Sequence, residues 1–170
     1  RALVESGLRN VVDSALVNDI TPVLLVLDGV QYPHNHGACL RTAYAAGDDA
    51  VIAPRHGAAG LGPTVSKVAA GAAESVPFAA VPNIVKVLGW LGDYGIRVVG
   101  TSDRADQTLY ESTLSGAVAF VMGREHTGLR PQVEQKCDAL VSLPMQGEVS
   151  SLNVSVATGI CLYEAVRQRR

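Results

Sequence analysis

The chain has 170 residues, 48% of them hydrophobic and 18% charged, with a formal net charge of −2; this is the size of one globular domain able to bury a single large core. No apolar run is long enough to cross a bilayer and the first 20 residues carry mixed charge, so the composition reads as soluble, not exported, cytoplasmic, and without a membrane partner. The charge balance speaks against a nucleic-acid partner, because phosphate contacts usually come from a clear excess of Lys and Arg.

In chain order, residues 1–20 hold a weak amphipathic pattern (Leu8, Val11, Val12, Leu16) that predicts a linker or N-terminal helix ahead of a catalytic domain over 21–170. The continuous apolar run from Val23 to Leu27, closed by Asp28, reads as a buried parallel strand. A helical pattern follows over Ala38 to Ala46, then a second strand over Ala50 to Ala53. Pro54 to Gly62 (PRHGAAGLG) reads as a loop beside a site. Helices are expected over Thr64 to Ala72 and Asn83 to Tyr94, strands over Ile96 to Gly100 and Ala117 to Met122, and a helix over Leu129 to Cys137. A last strand over Ala139 to Leu143 leads into a long helix from about Asn153 to Arg169. Strands alternating with helices predict an α/β domain with a mostly parallel sheet flanked by helices.

Three segments carry chemistry. The first, Asp28 to Arg41, follows the first strand directly and opens a helix, with Asn35 suited to cap it and Arg41 in the second turn; ligands of open α/β sheets bind at such carboxyl ends. In the second, AVAFVMGREHTGL, an apolar strand ends at Gly123 and Glu125 stands two residues on; a glycine there lets a ligand approach the backbone. It is not a dinucleotide fingerprint, since G-x-G-x-x-G and its acidic partner are absent. The third, Val141 to Ala157, is a strand ending in a Pro-Met-Gln-Gly turn that runs into the last helix, with Ser151 expected as its cap and Asn153 beside it.

Other candidates are weaker. His34 and His36 form an HxH pair without a further ligand at convincing spacing, so no metal is predicted. Cys39, Cys137 and Cys161 are odd in number and far apart, and read as buried reduced thiols. Arg167, Arg169 and Arg170 read as a helix end or solvated tail.

Together, NxGxxxR at Asn35 to Arg41, GxExxGL at Gly123 to Leu129 and LPMxGxVSSLNVSVATGICLYEAVRQR at Leu143 to Arg169 resemble the SpoU (TrmH) family of SPOUT methyltransferases, in the right order over about residues 21–170. Thr64 to Phe78 and the VVGTS stretch with its later LYE are similar to the members that modify a guanosine in 23S ribosomal RNA. The resemblance implies a SPOUT-type fold with a C-terminal deep trefoil knot, otherwise rare in proteins. It also implies a homodimer with the site at its interface, and methyl transfer from S-adenosylmethionine to a ribose 2′-hydroxyl of RNA. Carried over by motif, the cofactor pocket falls on Gly123, Leu143, Met145 and Leu152, and the polar catalytic positions on Asn35, Arg41, Glu125, Ser151 and Asn153. Tyr32, His36 and His126 depart from the family's usual residues.

A guanidinium stays protonated near neutral pH, so Arg41 is read as positioning the target phosphate and stabilising charge on the 2′-oxygen; Glu125 or an RNA phosphate is left as proton acceptor. Two alternatives stand beside this reading: a transfer-RNA substrate, and a non-catalytic RNA-binding or assembly module of the same fold. With Arg41, Arg55, Lys67, Arg124 and Arg130 as its candidate basic lining, a domain of this charge is expected to bind RNA weakly alone and to work with an N-terminal RNA-binding domain.

Overall fold

The computed structural model describes residues 2–56 and 60–169. Helix α1 (Glu5–Val17) precedes β1 (Val23–Leu27), α2 (Pro33–Ala46), β2 (Ala50–Pro54), α3 (Pro63–Ala69), α4 (Ala72–Ser75) and β3 (Phe78–Val81). Then come α5 (Ile84–Asp93), β4 (Arg97–Thr101), β5 (Gln107–Thr108), a 3₁₀ turn (Leu109–Glu111), β6 (Val118–Met122), α6 (Pro131–Glu134), β7 (Ala139–Ser142) and α7 (Val154–Gln168). The strands form one sheet in the order β3-β2-β1-β6-β4-β7-β5, and every pairing is parallel.

β1 and β6 are buried along their whole length, which explains their unbroken apolar runs: a central strand covered on both faces has no polar side. Val23, Leu25 and Leu27 enter the core beneath α2, α3 and α7. Leu24 and Val26 enter the opposite core with Leu8 and Val12 of α1 and Ile84, Leu88 and Leu91 of α5. Residues 1–20 thus include a helix that packs on the sheet, and Leu3 bridges to Ala79, donating to Phe78 O at 2.7 Å and accepting from Ala80 N at 3.0 Å. Glu5 ties α1 to α5 by accepting from Trp90 Nε1 at 3.1 Å, while Arg9 lies 4.3 Å over the Trp90 ring.

Several elements differ from expectation. β3 follows Pro77 and holds only Phe-Ala-Ala-Val, too short and alanine-rich to signal a strand. The expected helix over Thr64 to Ala72 breaks at Ala70 and Gly71, both left-handed, into α3 and α4. The helix expected over Leu129 to Cys137 is a single turn, α6. α2 starts at Pro33 rather than Ala38, because proline is tolerated in a first turn whose N–H groups lack intrahelical partners. Of the expected loop over Pro54 to Gly62, residues 57–59 lie outside those described, as does Arg170. Arg169 is no solvated tail: its guanidinium donates to the carbonyls of Thr21 and Gly116 at 2.9 and 2.7 Å, fastening the end of α7 to the amino edge of the sheet.

Two buried ionisable groups make stability depend on pH in opposite senses. The His36 ring packs edge-on against Phe78, its nitrogens without hydrogen-bond partners among the described residues; burial lowers it to about 4, against an opposing pull from Glu125. Burial pushes Asp48 up to about 8, helped by Asp49 and opposed by Arg169. For His36 the folded value lies below the unfolded one, so its contribution is intact above about 6.5 and is lost as pH falls towards about 4. For Asp48 the folded value lies above the unfolded one, so stability declines as pH rises from about 3.8 through about 8. Calorimetric melting across this range should show Asp48→Asn raising Tm most at about pH 8 and least near pH 4. The same scans should show His36→Leu flattening the loss on the acid side; an unchanged pH profile in either variant refutes that assignment.

Candidate active site

The carboxyl ends of β1, β6, β4 and β7 lie side by side, and the loops leaving the last three surround a cavity of about 380 Å³. Its wall includes Thr101 to Arg104 after β4, Met122 to Leu129 after β6, and Leu143 and Met145 after β7. Glu134, Val141, Ser150 to Leu152, and Val154 and Ala157 at the start of α7 complete the wall. All four expected cofactor residues, Gly123, Leu143, Met145 and Leu152, line this one cavity, as do Glu125 and Ser151. The Thr101 to Arg104 wall was not singled out as a site, although its place just past a strand's carboxyl end is the signal that finds it.

The 124–128 loop folds back tightly on the end of β6, with Arg124 N–H donating to Gly128 O at 3.2 Å and Gly128 N–H to Arg124 O at 3.1 Å. A Cβ at Gly123 would lie 2.3 Å from the Gly128 carbonyl carbon and 2.5 Å from Leu129 N. Glycine is therefore demanded here by the chain's own backbone, whatever a ligand requires.

That turn aims Glu125 across to the start of α2. Its Oε1 accepts from Gln31 N–H at 3.2 Å, and its Oε2 from Tyr32 N–H at 3.0 Å and Asn35 Nδ2 at 3.2 Å. Asn35 Oδ1 in turn accepts from Asn153 Nδ2 at 3.1 Å, and Asn153 Oδ1 accepts from Ser155 N–H at 2.8 Å. Two expectations change here. Asn35 does not cap α2 but lies inside its first turn, and α7 is capped by Asn153 rather than Ser151. Desolvation is the largest single influence on the Glu125 carboxyl and raises it, but the hydrogen bonds from Tyr32, Asn35 and Gln31 together outweigh it and hold the group below the usual range.

Of the five expected polar positions, Asn35, Glu125 and Asn153 form one hydrogen-bonded chain and Ser151 lines the cavity. Arg41 joins neither: it is exposed on α2, with no hydrogen bond or ion pair among the described residues. Gly37, of the same motif, serves packing, since a Cβ there would lie 2.7 Å from Val65 O of α3. Tyr32 and His126 touch each other, hydroxyl to Nε2 at 3.3 Å. His34 is exposed, and no cluster of three or more metal-ligating side chains occurs among the described residues. No helix among those residues is long and apolar enough to cross a membrane. Cys39 and Cys161 are buried and Cys137 half-buried, all as thiols that burial pushes up to between about 11 and 12.

Residues 22–163 match the SpoU rRNA Methylase family. The chain is 60% identical over 149 residues to a 23S rRNA (guanosine-2′-O-)-methyltransferase RlmB of Photorhabdus laumondii, covering 88% of this chain and 61% of that protein. It is 57% identical over 148 residues to the RlmB of Escherichia coli K12, covering 87% of this chain and 61% of the relative. The chain thus spans about three-fifths of the length of these curated relatives. Among solved structures, the SpoU methyltransferase AviRb of Streptomyces viridochromogenes in complex with AdoMet superposes with a TM-score of 0.82 at 31% identity, over 88% of this chain and 61% of that one.

Replacing Glu125 by Gln keeps one accepting oxygen and turns an amide N–H₂ against the donors that faced the other. Urea unfolding should show a loss of about 1–2 kcal/mol for Glu125→Gln, and the amides of Gln31 and Tyr32 should lose hydrogen-exchange protection. Unchanged protection at those two amides shows that the carboxylate does not organise the start of α2.

Proposed function

The chain belongs to the SpoU rRNA Methylase family, and we propose that it transfers a methyl group from S-adenosylmethionine to the 2′-hydroxyl of a guanosine ribose in 23S ribosomal RNA. The observation that carries this reading is the cavity walled by Gly123, Leu143, Met145 and Leu152, set against the chain of hydrogen bonds that joins Glu125, Asn35 and Asn153. The cavity suits the cofactor: its wall offers Met122, Leu129 and Leu143 as apolar surface, and three carboxylates (Asp103, Glu125, Glu134) against two arginines (Arg104, Arg124), a balance that favours a cationic sulfonium. S-adenosylmethionine supplies an already activated methyl, so the protein's work is to hold the ribose oxygen in line and see its proton removed. Glu125, with its oxygens committed to N–H donors and its carboxyl held low, is a poor base. We assign it to positioning and leave the proton to an RNA phosphate, with Arg41 stabilising the developing oxyanion.

Arg41 can meet the cavity in a homodimer whose site includes a residue from each copy. In support, α2 exposes Arg41 and Tyr44, while α7 and the turn before it expose Leu152, Val156 and Tyr163. Apolar side chains grouped on two adjoining helices suit a self-complementary contact. Residues 21–170 form the catalytic unit in this reading, with the C-terminal segment threaded as the family's trefoil knot, an arrangement favoured by the position of β7 between β4 and β5.

The direct test is incubation with labelled S-adenosylmethionine and deproteinised ribosomal RNA, followed by mapping of the modified ribose. Label on a 23S guanosine 2′-oxygen is expected; label only on transfer RNA, or none, overturns the assignment. Arg41→Ala and Arg41→Lys should both lose methyl transfer by two orders of magnitude or more while cofactor affinity stays within a few-fold, because an ammonium cannot replace a planar fork. Near-normal turnover in the lysine variant removes the bidentate role. Sedimentation should find the wild type dimeric and Tyr163→Glu shifted to monomer with methyl transfer lost; an active monomer dismisses the shared site.

A further inference from the structure

A second cavity, of about 490 Å³, lies beside the first. It is walled by Asp28 and Gly29 after β1, Pro54 and His56 after β2, Asn83 to Val85 at the start of α5, and Arg124, Arg130 and Gln132. Among the described residues, Arg124 alone lines both cavities.

The charges of the two cavities differ in sign. The cofactor cleft carries more carboxylates than arginines, whereas the second cavity holds two arginines against one carboxylate. That carboxylate, Asp28, is already committed: Arg130 grips it with Nε at 3.0 Å and Nη2 at 2.8 Å, and it is almost wholly buried. Arg124 is left as the free cation, with no hydrogen bond or ion pair from its side chain among the described residues. Its course is set by shape instead of by a charge partner. A Cβ at Gly29, where φ is +90°, would stand 2.9 Å from Arg124 Nε and 3.0 Å from its Cγ. The absence of a side chain at Gly29 opens the channel along which the arginine runs. The first turn of α5 adds backbone N–H groups without intrahelical partners to the same wall, since Asn83 Oδ1 satisfies only Lys86 N–H.

We infer that Arg124 holds one RNA phosphodiester at the ridge between the cofactor cleft and the second cavity, so that the strand entering the cleft continues over a surface of the opposite charge. This deepens, and rests on, the RNA methyl-transfer reading. It also resolves how a chain of net charge −2 receives RNA: the cationic surface is local, and its acidic neighbour is neutralised in place.

The test is filter binding of deproteinised 23S ribosomal RNA by the 170-residue chain across a salt series, with S-adenosylmethionine affinity measured alongside. Arg124→Ala should weaken RNA binding about three- to ten-fold near physiological salt and reduce the slope of log K against log salt by about 0.7–0.9, the loss of a single phosphate contact. Arg124→Lys should restore the slope, since it restores the charge. Cofactor affinity should not weaken in either variant, since taking a cation from the cleft wall does not disfavour a cationic sulfonium. An unchanged slope in Arg124→Ala, or a cofactor affinity reduced ten-fold or more, overturns the phosphate assignment. So does calorimetric binding of inorganic phosphate at micromolar concentration that Arg124→Ala abolishes, which would mark a site for a free anion. A slope that falls as expected in a chain that transfers no methyl group refutes the enzymatic reading and leaves the phosphate contact standing. A wild type that binds no RNA at any salt refutes both.

Discussion

The Glu125 carboxylate gathers three N–H donors from a segment 90 to 94 positions earlier in the chain, and the geometry of the whole site follows from that. Gln31 and Tyr32 precede α2 and Asn35 lies in its first turn, where N–H groups lack intrahelical partners and a negative charge is favoured by the helix dipole. By taking these donors, Glu125 fixes where α2 begins. Through Asn35 it reaches Asn153, which caps α7. The cavity and the two helices that flank it are therefore set by one short line of side chains, anchored at a turn that Gly123 alone permits.

Such an arrangement separates positioning from charge. Groups in the line make their hydrogen bonds to one another and are poor candidates for proton transfer, whereas Arg41 and Arg124, the cations near the line, have no partner among the described residues. A reaction whose donor is already activated requires little acid–base power from the protein and a good deal of alignment. Free guanidiniums suit a polyanionic substrate that brings its own charge to pair with them. The contrast with Arg130, Arg167 and Arg169, all engaged with carboxylates or carbonyls, separates arginines that hold the fold from those left for a partner.

The central sheet was legible because β1 and β6 are covered on both faces and so carry unbroken apolar runs. β3 and β5 were not, since two alanines in four residues, or a Gln-Thr pair at the sheet edge, look no different from loop. The residues expected to hold the cofactor were named from motifs, and they line one cavity. The reasons given for two motif residues were partly misread: Gly123 makes room for its own loop, and Asn35 serves Glu125 rather than a helix cap. Such reasons depend on partners far away in sequence, which local periodicity and capping rules do not encode. The Tyr32–His126 contact illustrates the point, since two side chains that look unrelated along the chain are neighbours in space.

Arg41 is what a single copy leaves unexplained. Six positions beyond Asn35, it stands well over a turn and a half further along α2 and is rotated away from the side that meets Glu125. An arginine serving its own cleft would need to lie on Asn35's face, three or four positions away. On its exposed face α2 also presents Tyr44, and α7, which packs against α2, exposes Val156 and Tyr163; a solvated surface has no need of such apolar side chains. A second copy seated there would bury these side chains and carry Arg41 towards a cleft. In the proposed dimer methyl transfer would depend on association, because the guanidinium would reach the reacting oxygen only in the cleft of the other copy.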